Sequence, residues 1–314
     1  MSLALLFPGQ GSQDVGMGRD LARSHPVAAR TFEESDDILG FSLSRIMWEG
    51  PEDELVRTAN AQPAILTHSV AVLRLVEANL GPVGLAAGHS LGEFTAHVAA
   101  GTLDFPDALR AVRLRGELML AAGEARPGAM AALLGLDEAQ AQGVCEAASR
   151  NGSVVVTANL NSPGQIVISG DDDAVARALP LAREAGARKA VPLKVSGAFH
   201  SPLMEPAREG LRRHLESVSF RRSRFPVVAN VDARPVDAPE RARDLLVQQL
   251  TSPVRWQDCI GTMVEAGVER FLELGPGTVL KGLNRRIVRG VPTESVGTPE
   301  DVASVLGLTE AETA

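Results

Sequence analysis

Residues 83–96 read VGLAAGHSLGEFTA, and they narrow the possible folds of this 314-residue chain more than any other stretch. A short apolar run, 83–87, has the length and composition of a buried strand, and 91–100 has the pattern of a helix. Only Gly-His-Ser-Leu-Gly lies between them, so the chain must turn sharply from strand to helix with Ser90 on the turn. Such a turn projects a hydroxyl outward, its small neighbours admit a substrate carbonyl, and the helix start offers unpaired N–H groups. The same residues also spell a capping box, Ser90-Leu-Gly-Glu93, in which Ser90 would only cap the helix. The five-residue motif does not separate a nucleophile from a cap.

The remaining pattern is α/β. LALLF (3–7) reads as a first strand ended by PGQG, and helices are expected near 15–23, 27–38, 62–79 and 106–122. The third would be entered through Gln62-Pro63, with proline in its first turn, and the last would end at Gly123. From there the order is strand (128–135), helix (137–150), strands (153–160 and 165–170) joined by Asn-Ser-Pro-Gly, helix (172–185) and strand (188–195). This βαββαβ order fits a ferredoxin-like unit, read as an insert at 126–195 in a larger α/β domain formed by 1–125 and 196–314. The polar, acidic tail from about 297, ending GLTEAETA, is expected to fray.

Bulk composition excludes some classes. Hydrophobic residues at 45% and charged ones at 22% suit a soluble globular protein, and the absence of tyrosine leaves the core to Leu, Val, Ile and Ala. Thirty-one basic against 39 acidic residues give −8, which argues against a nucleic-acid partner. Cys145 and Cys259 have no metal-ligand spacing and read as reduced thiols. MSLALLFPGQG lacks the basic lead and the length of a signal peptide or membrane span, so a cytoplasmic protein without membrane contact is expected.

A serine nucleophile needs a base, and six histidines are available. His25 precedes a proline, His68 lies inside a helix, His214 lies on a charged helix, and His97 sits too far along the helix that Ser90 begins. His89 adjoins Ser90 and would point away from it. His200 follows a strand within Ser-Gly-Ala-Phe-His-Ser-Pro, on the type of loop where catalytic groups concentrate. No carboxylate third member emerges from spacing. On the helix 106–122, Ala108, Ala111, Val112, Leu118, Met119 and Ala122 share a face with Arg115 at its centre, opposite Arg110, Arg113 and Glu117. An inward arginine needs a partner, either a carboxylate of the protein or one on a ligand.

Taken in order, FPGQGSQ (7–13), GHSLGEFTA (88–96), RLRGELM (113–119), GAFHSPLM (197–204) and QQLTSPVRW (248–256) resemble the malonyl-CoA:acyl-carrier-protein transacylase family over nearly the whole chain. The resemblance implies a larger α/β-hydrolase-like domain with an inserted ferredoxin-like subdomain. It implies Ser90 as the malonylated nucleophile, His200 as its base, and the N–H groups of Gln10 and Leu91 as an oxyanion hole. Arg115 would clamp the malonyl carboxylate, and the Gln249 carbonyl would orient His200. Asn161, Arg188 and Lys189 would lie near the CoA or pantetheine arm, His89 would join the substrate-binding group, and Phe199 would crowd an α-methyl substituent. The implied partners are malonyl-CoA and an acyl carrier protein serving fatty acid or polyketide synthesis, with no metal or redox cofactor. Apart from the resemblance, a monomer is expected.

Lys281, Arg285, Arg286 and Arg289, with Arg188-Lys189, are either a docking surface for an acidic carrier or a solvated basic face. The malonyl-transfer subunit of a malonate decarboxylase, or a serine hydrolase or thioesterase, would share the same residues. A dinucleotide loop at FPGQGSQDVG fails because Asp14 stands where the third glycine belongs.

Overall fold

In a computed structural model, which describes residues 2–308, the short apolar runs become strands and the periodic segments pack around them. Among the described residues the strands are β1 (Ser2–Phe7), β2 (Val83–Gly88), β3 (Gly128–Leu134), β4 (Val155–Ser162), β5 (Gln165–Asp171), β6 (Lys189–Pro192), β7 (Val227–Val228), β8 (Pro235–Val236), β9 (Val268–Leu274) and β10 (Thr293–Val296). They form two sheets. The larger has the order β10-β9-β1-β2-β7-β8 and is parallel except for the β7–β8 pair. β1 is apolar from Leu3 to Phe7, where both faces are covered. Leu3, Leu5 and Phe7 enter one core cluster, and Ala4 and Leu6 enter another on the opposite face.

The register of β1 on β2 positions the site. Phe7 pairs with Gly88, so the loop leaving β1 runs beside the turn leaving β2. His89 N–H donates to the Phe7 carbonyl at 3.0 Å, which joins the two turns.

The smaller sheet, β4-β5-β3-β6, is antiparallel throughout. Helices Glu138–Ala148 and Asp172–Glu184 bury Val144 and Val175 in a cluster shared with Leu133 and Ile168 of its strands. The βαββαβ order and this strand arrangement are ferredoxin-like. The smaller sheet is tied to the segment before helix Trp256–Glu265 by a parallel bridge, where Leu160 N–H donates to Val254 C=O and Val254 N–H to Ala158 C=O, both at 2.9 Å.

Several sequence expectations shift. The helix expected from 62 begins four residues earlier and spans Thr58–Val76, with Pro63 inside it. Proline cannot donate to the carbonyl of residue 59, and Arg113 Nη1 takes that carbonyl instead at 3.1 Å. The helix expected to end at Gly123 runs from Phe105 to Ala125. Gly123 marks a close contact rather than a stop, since a Cβ there would lie 2.4 Å from the Ser196 carbonyl. The first helix forms only over Arg19–Ser24, because residues 14–17 close a turn through Met17 N–H and Asp14 C=O. The strand expected at 188–195 is only Lys189–Pro192. The tail does not fray from 297. Thr298 and Asp301 cap each other around the start of helix Pro299–Leu306, whose Val302 is buried in the main core. The end of GLTEAETA, 309–314, lies outside the described residues. No helix among the described residues is long and apolar enough to cross a membrane.

Candidate active site

Ser90 has φ 51°, the left-handed region that a serine adopts only when its surroundings impose it. Its flanking glycines allow the turn. A Cβ on Gly88 would lie 1.9 Å from the carbonyl carbon of Gly92, and one on Gly92 would lie 2.2 Å from the Phe7 carbonyl oxygen. The backbone of Ser90 is held from both sides. Asn230 Oδ1 accepts its N–H at 2.8 Å while Asn230 Nδ2 donates to Gly88 C=O at 2.8 Å, and Gln249 Nε2 donates to Ser90 C=O at 3.0 Å.

The capping box spelled by Ser90 and Glu93 does not form. Helix Gly92–Ala99 carries no side-chain cap, and the Glu93 carboxylate turns inward to Asn230 N–H and Gln249 Nε2. Ser90 Oγ is thereby left to other partners.

Those partners are His200 and Arg115. Ser90 Oγ lies 2.8 Å from His200 Nε2, and His200 Nδ1 lies 2.9 Å from the Gln249 carbonyl. A carbonyl only accepts, so Nδ1 carries the ring proton and Nε2 is free to accept from the serine hydroxyl. Burial, assisted by the nearby Arg115 charge, lowers the His200 pKa to about 3, so the ring is neutral at physiological pH. The other histidines do not reach the hydroxyl. His89 Nε2 pairs with Asn161 Oδ1 at 2.8 Å, its ring 5.7 Å from that of Trp256, and His68 pairs with the Gly297 carbonyl.

Arg115 is 1% exposed and makes no ion pair among the described residues. Its guanidinium donates only to neutral oxygens, namely Gln62 Oε1 at 2.6 Å, Gln249 Oε1 at 3.0 Å and Ser90 Oγ at 3.1 Å. Burial pulls its pKa down to about 10, with Glu93 acting against that shift, and the group stays charged. The expected alternatives for an inward arginine were a protein carboxylate or a ligand carboxylate. No protein carboxylate contacts it, and its fork faces the nucleophile.

The N–H groups of Gln10 and Leu91 donate to no acceptor among the described residues. Leu91 follows Ser90. Gln10 follows Gly9, which packs so tightly on the turn that a Cβ would lie 2.5 Å from the His89 carbonyl. The Gln10 side chain accepts from Thr58 Oγ1 at 3.0 Å. Two unclaimed donors beside a serine suit a developing oxyanion.

Phe199 is buried in the main core immediately before His200. Arg188 and Lys189 are exposed where β6 begins, and among the described residues no hydrogen bond or ion pair joins their side chains to the Ser90 cluster. Sequence reasoning missed Gln62, Glu93 as an inward group, and Asn230. Gln62 gave little signal, since its helix also carries Asn60, Thr67, His68 and Arg74. Asn230 had none.

The sequence pattern of the acyl transferase domain family matches residues 4–308. A malonyl CoA-acyl carrier protein transacylase from Bacillus subtilis (strain 168) is 46% identical over 301 residues, 96% of this chain and 95% of that protein. Its counterpart from Escherichia coli (strain K12) is 44% identical over 306 residues, 97% of this chain and 99% of that one. Among solved structures, an acyl carrier protein S-malonyltransferase from Vibrio cholerae O1 biovar eltor str. N16961 superposes with a TM-score of 0.94 at 43% identity, covering 97% of this chain and 100% of that one. A malonyl-transacylase in complex with a type II PKS acyl-carrier protein superposes at 0.93 with 44% identity, covering 98% and 99%.

Proposed function

This chain belongs to the malonyl CoA-acyl carrier protein transacylase family, and from that premise we propose how its residues carry the transfer. The protein is an acyltransferase that moves a malonyl group from CoA to an acyl carrier protein for fatty acid or polyketide synthesis. One observation carries the residue assignment. A neutral histidine nitrogen and a buried guanidinium converge on the same serine hydroxyl, at 2.8 and 3.1 Å.

Malonyl-CoA enters with its carboxylate on Arg115, which exchanges its contact with Ser90 Oγ for a charge-assisted one. Ser90 Oγ attacks the thioester carbon and its proton passes to His200 Nε2, while the Gln249 carbonyl steadies the imidazolium through Nδ1–H. The carbonyl oxygen becomes an oxyanion held by the N–H groups of Gln10 and Leu91. Its collapse breaks the C–S bond, and His200 returns the proton to the departing CoA sulfur. A malonyl ester remains on Ser90. The phosphopantetheine thiol then gives its proton to His200, its sulfur attacks the ester carbon, and the proton returns to Ser90 Oγ as the malonyl thioester leaves.

Asn161, held to His89, and Phe199, beside His200, are read as walls of the acyl and pantetheine path, with Arg188 and Lys189 at its outer end. Lys281, Arg285 and Arg289 line one surface depression and Arg286 bonds Gln165 across to the smaller sheet, which supports a docking face for an acidic carrier. Residues 1–125 with 196–314 are read as the catalytic domain and 126–195 as its insert.

Intact mass after brief mixing with malonyl-CoA tests the assignment. The expected result is one malonyl adduct that persists without a thiol, is discharged by a holo carrier, and is absent in Ser90→Ala. An adduct lost to water within seconds would make the protein a hydrolase instead.

A further inference from the structure

Glu93 is fully buried and, among the described residues, has no basic side chain in contact. Its Oε2 accepts from Asn230 N–H at 3.0 Å and from Gln249 Nε2 at 2.6 Å, and its Oε1 has no partner. Arg115 is the complementary case, a buried cation whose acceptors are all neutral and whose Nε is also unpartnered. Two buried ions that each lack a contact counter-ion are costly unless each compensates the other at one remove.

The Gln249 side chain is what lies between them. Its Nε2 faces an acceptor-only carboxylate and its Oε1 faces a donor-only guanidinium, so the amide can sit in only one orientation. We propose that Glu93 is the internal counter-charge of Arg115, relayed through the Gln249 amide, and a specificity-determining residue that sets how tightly the acyl pocket holds a carboxylate. The proposal rests on the malonyl-transfer reading above.

The spacer has a consequence that a direct ion pair would not have. Contact between Glu93 and Arg115 would fill the guanidinium fork, whereas the relay leaves the Nη2–H that rests on Ser90 Oγ free to pass to an incoming carboxylate. Glu93 and the bound malonyl carboxylate then compete for one cation, and their mutual repulsion limits ground-state binding so that the malonyl ester does not become a trap. Arg115 from one helix and Asp232 from the loop after β7 bear electrostatically on Glu93. Glu93 in turn bears on Cys259, and Arg115 and His89 bear on His200. Burial is the dominant influence and raises Glu93 to about 7, so its charge changes around neutral pH.

Glu93→Gln keeps an oxygen for Asn230 and Gln249 and removes the charge. At pH 8 the variant is expected to show a KM for malonyl-CoA in Ser90 loading about tenfold below wild type, with acetyl-CoA loading within about twofold. In wild type, the KM for malonyl-CoA should fall as pH drops from 8 to 6 and Glu93 takes up its proton, and in Glu93→Gln it should stay flat. The wild-type profile alone tests the idea should the variant not fold. Equal changes in malonyl and acetyl loading, a raised KM for malonyl-CoA, or the same pH dependence in both proteins would overturn the proposal. Absence of any malonyl adduct on wild type would overturn the transfer reading beneath it.

Discussion

Replacing Arg115 by methionine removes the guanidinium while keeping most of the buried volume. Two effects follow, of different size. The variant leaves Gln62 Oε1 and Gln249 Oε1 without their donor, at about 1–3 kcal/mol each, and takes the counter-charge from Glu93, but it also ends the cost of burying a cation, and Glu93, already raised to about 7, can take up a proton. The folded state should therefore survive, with a fall in Tm of a few degrees. The kinetic effect is larger. A bidentate charge-assisted pair to the malonyl carboxylate contributes about 3–4 kcal/mol, which corresponds to a loss of about 10²–10³ in kcat/KM for malonyl loading. Acetyl-CoA has no carboxylate to lose, so its loading should hold or rise. The assay is the time course of adduct formation on Ser90 by intact mass, with the two thioesters run in parallel beside thermal melts. Equal losses for malonyl and acetyl loading would refute the clamp and leave Arg115 as a support for Ser90.

Gly92→Ala would drive a methyl to 2.2 Å from the Phe7 carbonyl, with backbone on both sides and no side chain able to yield. It should cost several kcal/mol and abolish loading, and a melt matching wild type would contradict the close approach. Burial holds His68 near pKa 4 and His97 and His200 near 3, so below 6.5 the folded chain binds fewer protons than the unfolded one. The stability these three confer is full above pH 6.5 and is lost as pH falls, about 2 kcal/mol each by pH 5. Glu93, raised to about 7, works in the opposite sense by about 2 kcal/mol, so urea midpoints should register a net loss of about 3–4 kcal/mol from pH 7.5 to 5. An unchanged midpoint would mean these histidines are not buried neutral. Reversing charge at Arg285 and Arg286 should raise the KM for the carrier and leave self-malonylation intact, and an unchanged KM would remove that helix from the docking face.

Features decided within a few neighbouring residues could be read from sequence. The strand, turn and helix around Ser90 were one, and the inward position of Arg115 followed from helical period alone. His200 was identified by loop context and Gln249 through the family resemblance. What escaped depends on contacts between distant segments. Pro63 breaks a local rule and is tolerated because Arg113, on another helix, takes the stranded carbonyl. Ser90-Leu-Gly-Glu93 spells a cap, yet the network around Asn230 and Gln249 draws the glutamate inward. The capped C-terminal helix was a different kind of miss. Thr298-Pro-Glu-Asp301 carries its own start signal within a polar, acidic stretch whose composition alone suggests a frayed tail.

The bridge between β4 and Val254 bears on how such enzymes can be recombined. Val254 and Arg255 lie far along the chain from 126–195, yet they complete the ladder of Leu160 and Ala158 and pair with Glu138. Grafting the 126–195 segment from a relative would therefore mismatch its edge unless residues 254–255 travelled with it. The same strand carries Asn161, the partner of His89 beside the nucleophile, so a poorly seated graft would disturb the chemistry before it lowered solubility. A workable chimera is a two-piece exchange, with its boundaries set by backbone hydrogen bonds rather than by the ends of the insert.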